Sequence, residues 1–504
     1  MKQFDNHMNV LIVGAGRAGE IVSADLMRDP SSRFNVVGFV DDDPGKLFES
    51  VQGLPVLGSL SDLREVVIGN DVTELIISIP SERGSLIRRI VESTIGLGLN
   101  YKILPRQAEV LLQDYAGKSR QFIRKVRAED LLGGEIPKSD QEDIVEYARD
   151  QVILITGAAG SIGSELTRQA VAYGARKVIA YDWWENGVFD LRNHLIESYP
   201  DADVEYIIGD VKDRRKLNQV FSMHRPTAVF HAAAYKHVPL MEGNPAEAIK
   251  NNIFGTKTVA EVAIKFSVAK FVLVSTDKAV NPTNIMGASK RATEMAIHTL
   301  AGSQSTTTFC AVRFGNVINS NGSAIPIFQE QIEHGGPVTV THAEVTRFFM
   351  TIPEAVHLIL QSWIMGENDD LFVLNMGESV KIYELARLLI ALNGYIPGKE
   401  IDIRITGLRP GEKLYEEVLV KEEETLATSV AKIFRTRNYL NFDELTFLHG
   451  LTGLREAVEE QGLDCAALKR RLASLVDTYI PSTDLDESIP LTAPVAAELD
   501  KDAA

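Results

Sequence analysis

The sequence predicts an α/β protein of two doubly wound parallel sheets in tandem, followed by a C-terminal helical segment. Three observations carry this. A strand, a glycine turn and a helix start follow one another twice, at residues 9–20 and 151–165. Each is followed, roughly 20 to 25 residues on, by an apolar strand ending in an acid, which is the spacing of a nucleotide-binding βαβ unit. Further short runs at 75–79 and 101–104 read as strands, 228–235 as the end of another, and the β-branched run 271–274 as a buried parallel strand. A chain of 504 residues holds two or three domains with ample core.

In the first unit Gly14, Gly16 and Gly19 stand in G-x-G-x-x-G spacing, and the strand at 34–40 ends in Asp41. Glycines let the backbone approach a pyrophosphate at a helix N-terminus, and the acid takes ribose hydroxyls. Two readings stay open: a bound nucleotide at Gly14, Gly16, Gly19 and Asp41, or a Rossmann-shaped regulatory or docking domain. From about residue 111 to 150 the chain turns polar, interrupted by Gly133, Gly134 and Pro137, with a small basic run of Arg120, Arg124, Lys125 and Arg127 that reads as a solvated face.

The second fingerprint is stronger. Gly157, Gly160 and Gly163 sit between strand and helix, with Ser161 and Ile162 inside the turn. The next strand ends at Asp182, which should hold the adenosine ribose 2′-hydroxyl and repel a 2′-phosphate, favouring NAD over NADP. Asp210 and Val211 end another strand, where adenine would lie. Ala232, Ala233 and Ala234 end a fourth, small enough for backbone to approach the cofactor. The run 271–274 leads into Ser275-Thr276-Asp277-Lys278 at a strand's carboxyl end, where open α/β sheets bind ligands. Asn281-Pro282 marks a turn, and Met286 and Lys290 lie i, i+4 on one face of the helix that follows. An acid and an amine side by side, then a lysine one turn into the next helix, suggest proton transfer beside a bound cofactor.

Composition excludes several classes. The net charge of −17 argues against non-specific nucleic-acid binding and against attachment to anionic lipid by charge. The two cysteines, Cys310 and Cys465, have no ligand spacing and suit a reducing compartment. No metal-ligand spacing occurs. No apolar run reaches the ~20 residues of a membrane span and no signal peptide is visible, so a cytoplasmic protein is expected.

These motifs resemble the extended short-chain dehydrogenase/reductase superfamily, and more narrowly the nucleotide-sugar 4,6-dehydratases of bacterial polysaccharide and glycan biosynthesis, of the membrane-type UDP-N-acetylglucosamine 4,6-dehydratase group. The resemblance runs from about residue 9 to 420. Its most specific pieces are Ala234-Tyr-Lys-His-Val-Pro-Leu-Met-Glu242, the stretch from Ser275 to Lys290, Val312-Arg-Phe-Gly-Asn-Val317, Gly335-Gly-Pro-Val-Thr-Val-Thr-His342, Arg347-Phe-Phe-Met350 and Gly407-Leu-Arg-Pro-Gly-Glu-Lys-Leu-Tyr-Glu416. The chain departs from the group twice. It starts directly at the first glycine unit, where many large members carry transmembrane helices, which leaves two readings open, a naturally soluble member, with a peripheral place at the inner membrane allowed, or a chain from which a membrane segment was removed. Trp183-Trp184 follows Asp182 where smaller polar residues are usual, while Glu185-Asn186 keeps the pattern.

The resemblance implies an NAD-dependent hydro-lyase acting on a UDP-sugar and paired into a dimer or higher homo-oligomer. Cofactor residues would be those of the second glycine turn, Asp182, Asn186, Asp210, Val211, Ala232 to Ala234 and Lys290. Thr276 would bond the sugar 4-oxygen, Asp277 would protonate the leaving 6-hydroxyl, and Lys278 would take the C5 proton. Met286 stands where the superfamily usually has a tyrosine, as it does in the large dehydratases. Burial would raise the Asp277 pKa and lower that of Lys278, and their attraction would oppose both. Arg313, Asn316, Arg347 and Arg409 are candidates for the diphosphate, Glu412 for the uridine ribose, and Lys236 and His237 for the sugar. A UDP-sugar 4-epimerase and a binding-only regulatory protein are the alternatives. The expected divisions are 1–115, a linker 116–150, a dehydratase domain 151–425, helices 426–480 and an acidic disordered tail 481–504.

Overall fold

The structure, a computed structural model, describes residues 8–28, 33–79, 84–105, 122–132, 141–304, 306–418, 424–437, 440, 442–460 and 464–481. Arg120, Gly133, Gly134, Pro137 and the tail from 482 lie outside them.

The first unit is a five-stranded sheet in the order Phe34–Val40, Met8–Val13, Glu74–Ile77, Asn100–Ile103, Arg124–Lys125. The first four strands are parallel and the last antiparallel. Arg124, part of the basic run, makes a two-pronged pair with Asp130 at 2.6 and 2.7 Å.

The second unit is a nine-stranded sheet. Its order is Val204–Ile208, Lys177–Asp182, Val152–Thr156, Ala228–His231, Lys270–Val274, Thr308–Arg313, Asp370–Leu374, Ile433–Arg437, Glu424–Ala427. The first seven are parallel; the last two form an antiparallel hairpin on the edge that runs past residue 425. Alternate residues of each central strand feed opposite cores. Ile153, Ile155, Val178 and Phe230 face one, and Leu154, Ile179, Val229 and Phe271 the other. That is why these strands read as unbroken apolar runs rather than alternating ones. Winding begins at Val152–Thr156 and proceeds both ways, so the strand order reverses there. The crevice this opens at the strands' carboxyl ends is where a ligand fits.

The two units share a core. Helix Ile382–Leu392 of the second places Leu388 and Ala391 among Ile87, Ile90 and Leu99 of the first, and Leu131 joins them from the short connecting helix Ala128–Leu132. Helices Glu444–Glu459 and Cys465–Ala473 pack through Phe447, Leu451, Leu468 and Leu472 onto Ile285, Met286 and Ala292 of helix Ile285–Ser303. Among the described residues no helix is long and apolar enough to cross a membrane, and no cluster of His, Cys, Asp and Glu is fit to hold a metal ion.

Candidate active site

At the reversal point the chain opens a cavity of about 810 Å³. One end is the second glycine turn. Gly157 has φ +69°, and a Cβ there would lie 2.6 Å from the Ala233 nitrogen; at Gly163 it would lie 1.9 Å from the Gly157 carbonyl. The turn is therefore pressed against the alanine strand end and its own helix, leaving the face over Gly160, Ser161 and Ile162 open to the cavity. Asp182 is 6 % exposed; its carboxylate accepts from Ala159 N at 2.9 Å and Trp184 N at 2.9 Å and borders the same space. Val211, Ala232, Ala233 and Ala234 line it too. A glycine cradle, a helix N-terminus and a carboxylate at the second strand's end suit a dinucleotide with free ribose hydroxyls. Asn186 is exposed on helix Glu185–Ser198 and Asp210 pairs with Lys212 at 3.0 Å; neither lines the cavity. Trp183 and Trp184 do, in the place where small polar residues were expected.

Beneath the turn lies a buried relay. Thr256 donates to Asn252 O at 2.6 Å, so its oxygen accepts from His231 Nε2 at 2.7 Å, and His231 Nδ1 accepts from Thr156 at 2.7 Å. This network assigns the neutral Nε2–H tautomer. Burial, with the Lys290 charge adding to it, pushes the imidazole down to about 3.

The other end is the loop after Lys270–Val274. Asp277 N donates to Phe314 O at 3.0 Å, which folds Asp277–Ala279 into a tight turn under the neighbouring strand end. Thr276 Oγ1 and Lys278 Nζ both donate to Asp277 Oδ1, at 2.8 and 3.0 Å, and Lys278 also reaches Asn316 Oδ1 at 3.2 Å. Thr276, Lys278, Met286, Lys290 and Asn316 line the cavity. Asp277 does not: it is fully buried, and its Oδ2 has no hydrogen-bond partner. Burial works to lower the Lys278 pKa, but the Asp277 and Glu416 carboxylates override it and hold the amine above its ordinary value. The expected lowering thus fails, because attraction outweighs desolvation. Lys290 lies i, i+4 from Met286 and donates to Val274 O at 2.8 Å; burial brings it down to about 8 against the pull of Glu294. Helix Ile285–Ser303 starts at Asn284, whose side chain accepts from Gly287 N at 2.8 Å. A Cβ at Gly287 would lie 2.1 Å from the Lys278 carbonyl, so glycine lets helix and loop touch.

Lys236 and His237 line the cavity between its two ends. Burial lowers both pKa values, with Lys278 repelling Lys236 and Lys236 repelling His237. The expected diphosphate residues divide. Arg313 is fully buried and grips Glu294 at 2.7 and 2.8 Å, which leaves it no surface for a phosphate. Arg347 pairs with Glu412 at 3.1 Å and approaches Glu416 at 3.7 Å, away from the cavity lining. Arg409 is exposed on the segment whose Glu412 also accepts from Thr341. Two residues were missed. Glu416 lies 3.6 Å from Lys278 Nζ. Asn252 exchanges bonds with the Tyr235 backbone at 2.8 and 3.1 Å and bonds Ser289 at 2.9 Å. Glu416 closes a quoted motif, but spacing alone does not bring it to Lys278; Asn252 gave no signal.

In the first unit Asp41 Oδ2 accepts from Ala15 N at 2.7 Å, repeating the Asp182–Ala159 contact, and Lys46 sits 3.3 Å from the same oxygen. The Gly19 position, where a Cβ would lie 2.0 Å from the Gly14 carbonyl, repeats Gly163.

The profile of a family described as polysaccharide biosynthesis protein matches residues 153–438, more than half of the chain. The chain belongs to the polysaccharide biosynthesis protein family. The chain is 45 % identical over 414 residues to the probable polysaccharide biosynthesis protein EpsC of Bacillus subtilis, covering 82 % of this chain and 68 % of that one. It is 36 % identical over 292 residues to a UDP-glucose 4-epimerase of Rickettsia canadensis, 57 % of this chain and 82 % of that one. Among solved structures, Pen from Bacillus thuringiensis superposes with a TM-score of 0.53 at 32 % identity, over 59 % of this chain and 89 % of that one. Residues 2–105 match the profile of a CoA-binding domain.

Proposed function

We propose that this chain is an NAD-dependent nucleotide-sugar 4,6-dehydratase that converts UDP-N-acetylglucosamine, or a close UDP-N-acetylhexosamine, to its 4-keto-6-deoxy form. The observation that carries the reading is the 3.0 Å contact between Lys278 Nζ and Asp277 Oδ1 at the carboxyl end of a central strand, on the wall of a cavity whose far end suits a dinucleotide. Gly157, Gly160, Gly163, Asp182, Val211, Ala232 to Ala234 and Lys290 would hold NAD. When bound, NAD supplies the acceptor for a hydride from the sugar C4 and its return at C6.

The chain's own residues handle the protons. Thr276 bonds the sugar 4-oxygen, the 4-hydroxyl proton is released to water as C4 is oxidised, and the ketone formed there acidifies the C5 hydrogen. One proton shift from Lys278 to Asp277 yields the amine and the carboxylic acid together, without change in net charge. Lys278 then takes the C5 proton, Asp277, buried behind the cavity wall, gives its proton to O6 through the Thr276 hydroxyl bonded to it at 2.8 Å, the C6–O6 bond breaks and water leaves. As C6 is reduced Lys278 returns its proton to C5, and one proton taken back from water, matching the one the 4-hydroxyl released, leaves both residues as they began. Shared protons of this kind belong to the pair rather than to either group. Met286 cannot take a proton, so the neighbouring position serves shape. Arg409, exposed but outside the cavity lining, is the arginine that remains for the diphosphate. The first unit's repeated turn and carboxylate support a nucleotide-containing ligand there.

The test is to incubate purified protein with UDP-N-acetylglucosamine, without added NAD, and weigh the nucleotide sugar by mass spectrometry. A product lighter by one water is expected. Asp277→Asn and Lys278→Met should each lower turnover by about 10²-fold or more. An unchanged mass with an altered proton NMR spectrum would favour the epimerase reading, which the Rickettsia relative supports.

A further inference from the structure

A line of alternating charge runs behind the cavity wall. Asp277 Oδ1 lies 3.0 Å from Lys278 Nζ, and Glu416 Oε1 lies 3.6 Å from the same nitrogen. Glu416 Oε1 is 3.7 Å from Arg347 Nε, and Arg347 Nη2 is 3.1 Å from Glu412 Oε1. The Glu416 side chain is only 5 % exposed, and its Oε2 is buried with no hydrogen-bond partner. A buried carboxylate without a full set of bonds is costly to keep and calls for a reason. The charged groups that face Lys278 are Asp277 on its own turn, Glu416 and Arg347 across the wall, and Lys236 from the loop after Ala228–His231.

We propose that Glu416 is a positioning residue of the proton-transfer centre, holding the Lys278 amine against the cavity wall and supplying the charge that keeps it an ammonium until Asp277 takes its proton. This rests on the dehydratase reading above. Two carboxylates compete for one ammonium. The closer, Asp277, also bonds Thr276 and so sits within the reacting group, whereas Glu416 is backed by Arg347. The competition biases the pair toward its resting form, so the amine is released only when a substrate makes the transfer worthwhile.

Glu416→Gln keeps the shape and removes the charge. Without that charge the Asp277–Lys278 pair gives up its protons more readily, so its titration moves to lower pH. The first measurement needs no turnover: Lys278 in the full-length protein is labelled with acetic anhydride across a pH series and read by peptide mass spectrometry. The half-labelling pH should fall by about one unit or more in Glu416→Gln and by less than half of that in Glu416→Asp. The second is the pH profile of kcat for UDP-N-acetylglucosamine, which should move to acid by a similar amount while KM stays within about threefold. An unshifted labelling curve in the folded Gln variant overturns the proposal, as does a uniform loss of kcat with no shift. Wild-type protein that dehydrates nothing sinks the functional reading instead, and the labelling curve still decides the role of Glu416. Where the Gln variant fails to fold, the Asp variant decides: a small acid shift supports the role and a wild-type curve overturns it.

Discussion

A guanidinium with no exposed surface must carry its counter-ion with it. Arg313 does so with Glu294, and Arg291 approaches the same carboxylate at 3.2 Å. Burial works to raise the Glu294 pKa, but the arginines and Ser275 override it and bring the carboxyl down to about 2. Its folded value thus lies below the ordinary 4.5, so the stability it contributes is complete above 4.5 and is lost as pH falls toward 2. Glu294→Gln should cost about 3–5 kcal/mol in urea unfolding at neutral pH by stranding a buried cation, and the gap from wild type should narrow below pH 4.5. At the glycine turn, Gly163→Ala forces a methyl to 1.9 Å from the Gly157 carbonyl. The variant should lose most of any co-purifying dinucleotide, checked by absorbance and chromatography of the denatured supernatant. That Asp277 and Lys278 stand side by side at a strand end, with Lys290 one turn into the next helix, was legible in the residues. The burial of Arg313 and Asp277 was not, because exposure is decided by which elements cover a residue after folding. Glu416 escaped notice for the same reason: it meets Lys278 only once the segment after Gly407 folds back.

The element that organises the site is helix Ile285–Ser303. Its first backbone N–H donates to Glu242 at 2.7 Å, and Glu242 in turn holds Lys469 of helix Cys465–Ala473 at 2.5 Å, both side chains being buried. The C-terminal helices therefore reach the start of the helix that carries Met286 and Lys290. Lys469→Met should lower stability by about 3 kcal/mol, since Glu242 would keep its buried charge without the cation, and the melting curve in differential scanning calorimetry would report it. Turnover should fall further than cofactor retention, because the glycine turn is untouched. Beside it runs the π-helix Ile249–Gly255, whose Asn252 grips both the Tyr235 backbone and Ser289. Such insertions are frequent at functional sites. Helix starts and central strands were readable because their signals are local: the Asn281-Pro282 turn before the helix, glycines after apolar runs. The π-helix has no local signal, since it depends on what its side chains must reach.

At the scale of the whole molecule, the two units are joined by more than a connecting segment. Leu388 and Ala391, 1 % and 4 % exposed, are finished by the first unit's core. A chain lacking residues 1–150 should expose that face, and we expect it to associate in light scattering at concentrations where the full chain does not. Leu388→Asp in the full chain should destabilise by about 3 kcal/mol or more through one buried unpaired charge. The tandem arrangement was readable from two fingerprints and their acids. The shared core was not, because helix Ile382–Leu392 carries apolar residues at positions that any helix packed within its own unit would show.

Of the three tryptophans, Trp363 is sealed in the core, while Trp183 and Trp184 are 61 % and 42 % exposed and form part of the cavity wall. The molecule thus has a built-in optical gauge. Light absorbed by the paired indoles will report whatever occupies the space beside Asp182, while the third supplies a steady background. Titrating dinucleotide into protein stripped of it should dim the emission, and replacing both wall tryptophans with phenylalanine should leave a dull signal that no longer answers. Occupancy can then be followed in real time, without label or turnover.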